Sequence, residues 1–131
     1  MIIVAEKRLT LAGQVVDVAR VPGVLRHEIG HAFDMAIGGK GKITGPFHSS
    51  SRTFDSIYKR DVRMMTAQLK RELRYFTQTG RAGKQESFAE AFAILLGGGS
   101  DPKREKTFRS AFPRVIRHVK AHIKARKKAK S

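Results

Sequence analysis

Cysteine is absent from these 131 residues, so neither a disulfide nor a thiolate metal site can form. That absence fits a cytosolic protein and equally a bacterial secreted one. Long apolar runs are also missing. The longest, Phe88 to Leu96, is broken by Glu90 and is too short to span a bilayer, so no transmembrane segment is expected. Nor is there a basic segment followed by an apolar run at the start. Met1-Ile2-Ile3-Val4-Ala5 gives way at once to Glu6-Lys7-Arg8, which does not read as a signal peptide. The expected settings are an intracellular protein, a secreted effector exported by another route, or a domain of a longer chain. Acidic residues are scarce: 11 Asp and Glu stand against 27 Lys and Arg, a net charge of +16. Pro102 to Ser131 holds 12 basic residues and one acidic one, Glu105. Such a field attracts acidic proteins and nucleic acid. The basic residues are not interleaved with aromatics in the manner of a single-strand stacking platform. A solvated basic face explains them equally well.

What is present begins with five residues, His27-Glu28-Ile29-Gly30-His31, followed by Asp34. On a helix, His27 and His31 are one turn apart and share a face, so both imidazoles can bind one metal ion. Glu28 lies beside them, where a carboxylate can take a proton from an attacking water. Helical context surrounds the motif. Pro22 suits a first turn, Leu25, Ile29, Ala32, Phe33 and Ala36 form an apolar stripe, and Gly38-Gly39 ends it. A core helix with two solvated histidines is the bland alternative.

Length implies one domain with a modest core. Ile2 to Lys7 reads as a short strand and Gln14 to Ala19 as a second. A helix is expected over 22–37, then a loop to Phe47. Ser49, Ser50 and Ser51 offer an N-cap for one long helix to about Gln78. Its apolar positions Phe54, Tyr58, Val62, Met65, Leu69, Leu73 and Phe76 step by three and four. Thr79 to Gly83 is a loop, 84–96 a helix ended by three glycines, and 102–108 a short helix. A last helix from Pro113 carries Val115, Ile116, Val119 and Ile123 on one side. The domain is expected over 1–123, with 124–131 a basic, disordered tail.

A catalytic zinc site needs three protein ligands and one open position. Asp34 is too close along the same helix to complete it easily. His48, in a Gly/Ser-rich loop, is a possible third ligand but more often such a residue is exposed. His118 and His122, i and i+4 on the basic last helix, read as surface residues that can bind stray metal. Glu86 and Glu90 are the best candidates. They share a face of an otherwise apolar helix, and a carboxylate buried unpaired is expensive. One can bind the metal while the other accepts the second N–H of a ligand histidine. Spacing alone permits either order.

The two motifs, His27 to Asp34 and Glu86-Ser87-Phe88-Ala89-Glu90-Ala91-Phe92, together resemble the anthrax lethal factor-like zinc peptidases, a group that is similar to the bacterial Pro-Pro endopeptidases. The likeness spans about Val21 to Ile123. It implies an α+β, predominantly helical zincin-like fold in a single domain, with a small N-terminal sheet and a mostly helical C-terminal half. It also implies Zn2+ as cofactor, His27, His31 and Glu86 as ligands, Glu90 supporting a histidine, and Glu28 as general base. That family carries a tyrosine seven residues before its Glu ligand, as an oxyanion donor. Here the position is Thr79, with Tyr75 one turn upstream.

The resulting expectation is a zinc-dependent endopeptidase acting on a protein or peptide substrate, whose extended chain adds to an N-terminal strand. Two alternatives stand beside it: a catalytically weak, zinc-binding basic interaction module, and a nucleic-acid-associated protease.

Overall fold

The computed structural model of the protein describes residues 2–4, 7–9, 22–38 and 47–129. Two three-residue strands, β1 (Ile2–Val4) and β2 (Lys7–Leu9), pair antiparallel, with Ile2 opposite Leu9 and Val4 opposite Lys7. The remainder is helical: α1 (Gly23–Gly38), α2 (Arg52–Arg63), α3 (Ala67–Glu72), α4 (Arg81–Leu95), α5 (Glu105–Ala111) and α6 (Pro113–Ala129). Single 3-10 turns occupy His48–Ser50, Arg74–Phe76 and Pro102–Arg104.

The expected α+β fold is therefore corrected. Among the described residues the domain is a small helical one, and six hairpin residues do not make a sheet layer. A lone two-stranded hairpin is marginal in water; the buried apolar side chains here lie on helices or at their ends. The expected strand at 14–19 lies outside the described residues. No described helix is long and apolar enough to cross a membrane. Residues 124–129, expected to lack order, continue the backbone of α6.

α4 is the central element. Phe88, Ala89, Ala91, Phe92, Ala93 and Ile94 are all buried, the pattern of a helix surrounded by others. Phe33 of α1 lies against Phe92, ring centroids 5.0 Å apart, and Phe54 of α2 meets Phe88 at 5.6 Å. Phe108 joins Phe76 and Phe112 at 5.1 and 4.7 Å, tying α5 and the 74–76 turn into the same core. α1 and α4 approach closely at Gly30. A Cβ there would lie 2.7 Å from the Ala89 carbonyl oxygen, so only glycine fits this crossing.

The long helix expected to about Gln78 is broken. α2 starts at Ser51, whose side chain accepts from the Phe54 N–H at 3.2 Å, and stops at Met64. Thr66 then caps α3 by accepting from the Leu69 N–H at 3.1 Å. The Tyr58 hydroxyl donates to the Phe76 carbonyl at 2.8 Å and holds the returning chain against α2. Asp61, fully buried on α2, accepts from the Arg114 and Val115 N–H groups at 3.0 and 2.9 Å. A side chain from another helix thus satisfies the first turn of α6.

Candidate metal centre

α1 presents His27 and His31 to α4. The rings lie edge to face, centroids 4.9 Å apart. His27 is buried and His31 half-buried. Both Nε2 atoms point at one oxygen, Oε1 of Glu86, at 2.7 Å from His27 and 3.1 Å from His31. One ligand atom from each of the three lies within 4.8 Å of the others. On its far side, His27 meets Glu90 Oε1 through Nδ1 at 2.8 Å.

A neutral imidazole carries one N–H. With Nδ1–H donated to Glu90, the Nε2 lone pair faces the lone pairs of Glu86 2.7 Å away. Those two groups repel unless a cation lies between them or His27 takes a second proton. Burial works against charging His27, but Glu90 and Glu86 outweigh it and raise its pKa above the usual 6.5. Burial likewise works against ionising Glu86, yet His27, His31 and Tyr75 together hold its carboxyl below the ordinary value. Two nitrogens and a carboxylate oxygen thus converge on one point, a group that could hold a metal ion.

Glu90 shows how a carboxylate survives inside an apolar helix. Besides His27 it accepts from the Ser100 N–H at 3.0 Å and the Ser100 hydroxyl at 2.8 Å. Burial would raise its pKa, but His27 and Ser100 lower it. Gly99 makes room, because a Cβ there would collide with the Glu90 carboxylate. The turn after α4 carries Ser100 to Glu90.

Glu28 is solvent-exposed on α1. Its charge is felt by Tyr75. Tyr75 is 55% exposed, in the 3-10 turn before α4. Desolvation, then the Glu86 carboxylate that its hydroxyl faces, push its pKa up to about 12, so the phenol keeps its proton at neutral pH. Thr79 lies elsewhere. It lines a surface hollow with Asp55, Tyr58, Lys59 and Lys84, to which no metal-site residue contributes. The structure therefore brings His27, His31, Glu86 and Glu90 together, with Tyr75 near enough to Glu86 for each to shift the other's pKa.

Asp34 does not join the His27–His31–Glu86 cluster. It is fully buried and accepts from the Ser49 N–H at 2.8 Å and the Ser49 hydroxyl at 2.6 Å. Desolvation raises its pKa to about 6 despite these donors. Its role is to fix the 48–50 turn against α1. The chain matches no protein-family model, no curated protein and no solved structure.

Proposed function

We propose that this protein is a zinc-dependent endopeptidase of the kind its two motifs resemble. The observation that carries this reading is the convergence of His27 Nε2 and His31 Nε2 on Glu86 Oε1, with the other nitrogen of His27 on Glu90. Zinc, when bound by His27, His31 and Glu86, supplies Lewis acidity and makes a water acidic near neutral pH. Glu28, exposed and next in sequence to a ligand, takes the proton from the attacking water and passes it to the leaving amine. Glu90 holds the His27 ring with Nε2 aimed into the site. The Tyr75 hydroxyl, protonated and beside Glu86, donates to the oxygen on which charge develops.

The net charge of +16 favours an acidic protein or peptide substrate, because complementary fields speed encounter. Glu28→Gln tests the reading. The amide cannot accept a proton, so zinc content and fold should be retained while kcat falls about 10²–10⁴-fold. Wild-type cleavage of a peptide library by this variant would remove Glu28 from the reaction. A wild-type protein that holds zinc and cuts nothing would be an interaction module instead.

A further inference from the structure

Three histidines meet on the other side of the 48–50 turn. His48 opens that turn, and His118 and His122 lie one helical turn apart on α6. His48 Nε2 is 2.8 Å from His118 Nε2. Ring centroids are 4.4 Å apart for His48 and His122, 4.8 Å for His118 and His122, and 5.0 Å for His48 and His118. One ligand atom from each lies within 4.8 Å of the others. All three are half-buried, and His48 leans on Phe54 and Phe88, ring centroids 6.3 and 6.0 Å away. From these contacts we infer that His48, His118 and His122 form a second metal site, for a late first-row divalent ion such as Zn2+. That ion fastens the C-terminal helix α6 to the turn at 48–50.

The chemistry of the donors selects the ion class. Three imidazole nitrogens suit zinc, copper and nickel, whereas calcium and magnesium require oxygen ligands. Two nitrogens bound to one tetrahedral zinc stand about 3.4 Å apart, so closing the site needs only small shifts of solvent-touching rings. Metal binding also requires neutral imidazoles. Burial, then His122 and His118, push His48 down to about 4, and burial lowers the other two as well, followed by His122 at His118 and by Arg126 at His122. Arg126, one turn beyond His122, opposes a cation there, and the coordinate bonds, made at contact, act against that repulsion.

The turn is also held as a ligand-bearing loop should be. Asp34 binds Ser49 by two hydrogen bonds, which limits the freedom of the neighbouring His48. No residue is shared with the His27–His31–Glu86 centre, so the inference does not rest on the peptidase reading.

The test is elemental analysis after equilibrium dialysis of tag-free full-length protein against micromolar zinc. Wild type should hold two zinc ions per chain, His31→Ala/Glu86→Ala one, His118→Gln/His122→Gln one, and the combination none. His48→Gln should weaken the remaining ion of His31→Ala/Glu86→Ala by more than the roughly 10–100-fold that an outer hydrogen-bond partner is worth. Zinc should also raise the Tm of that double variant, and Co2+ should give tetrahedral visible bands without thiolate charge transfer. Absence of metal from His31→Ala/Glu86→Ala, with the fold intact by circular dichroism, would overturn the second site. So would undiminished affinity on losing His48, which would leave only an adventitious pair on α6. If the fold is lost in these variants, the single variant His48→Gln decides: zinc stoichiometry and affinity unchanged from wild type overturn the second site. Loss of metal confined to His118→Gln/His122→Gln would sink the first centre instead.

Discussion

Tyr75→Phe removes one hydroxyl and nothing else. That hydroxyl faces Glu86, stays protonated at neutral pH and belongs to a side chain that is 55% exposed. Loss of one oxyanion donor typically costs about 100–1000-fold in kcat, about 2.7–4 kcal/mol of transition-state stabilisation. Exposure lets a water replace part of that donation, which places the expected loss at the lower end, about 100-fold. Substrate affinity should change little, because the interaction develops with the charge. Tyr75 also acts on Glu86, a ligand on the proposed reading, so zinc must be measured in the same samples and the assay run at full metal load. Stopped cleavage assays on a fluorogenic peptide, with bound zinc quantified, separate the two effects. A fall of less than about tenfold at full zinc load would refute the oxyanion role, since a water cannot restore a donor worth 100-fold that completely. Recovery of rate on adding zinc would reduce Tyr75 to a positioning residue. Thr79→Tyr and Thr79→Ala serve as controls. Thr79 lines a separate hollow, so both should leave kcat unchanged.

Further expectations concern zinc retention and stability. Glu86→Ala should purify nearly free of first-site zinc, while Glu90→Ala should lose about 10–100-fold in affinity or activity, the usual worth of an outer partner; the opposite ranking by elemental analysis would exchange their roles. Gly30→Ala should destabilise by up to about 2 kcal/mol, because overpacking against the Ala89 backbone costs about 1–3 kcal/mol against a helix-propensity gain of about 1 kcal/mol. The same shift should part α1 from α4 and lower zinc retention, and an unchanged melting temperature would show that the helices can move apart freely. Asp61→Ala orphans two N–H groups at the start of α6 and should cost about 1–3 kcal/mol, read as a lower urea midpoint at unchanged m-value.

Some of this centre was legible before any coordinates. The HExxH spacing puts two imidazoles on one helical face whatever the tertiary fold. Glu90 announces a partner simply by lying among Ala89, Ala91 and Phe92. Tyr75 and Thr79 were harder to separate. Counting back seven residues from Glu86 lands on Thr79, but Gly80, at φ 72°, turns the chain into α4, and it is Tyr75, on the 3-10 turn at 74–76, whose pKa Glu86 raises. The break at Thr66 was hidden because the apolar period runs through it without a change of phase. Gly30 reads as an ordinary small residue until Ala89 is opposite it. His48, His118 and His122 look like surface residues one at a time; 70 positions separate His48 from His118, and only the packing of α6 unites them.

His27 and Glu86 are 59 residues apart, and one ion between them closes a loop of that length. In the chain-entropy picture a cross-link over about 60 residues removes about 4 kcal/mol of freedom from the unfolded ensemble. A chain without cysteine cannot obtain that restraint from oxidation. On the proposed reading it obtains it from coordination, through two helices that a reductant cannot separate. A phosphine reductant without thiols should therefore leave its melting behaviour untouched where a strong chelator loosens it. Its endurance would then track the supply of metal around it and be indifferent to redox potential.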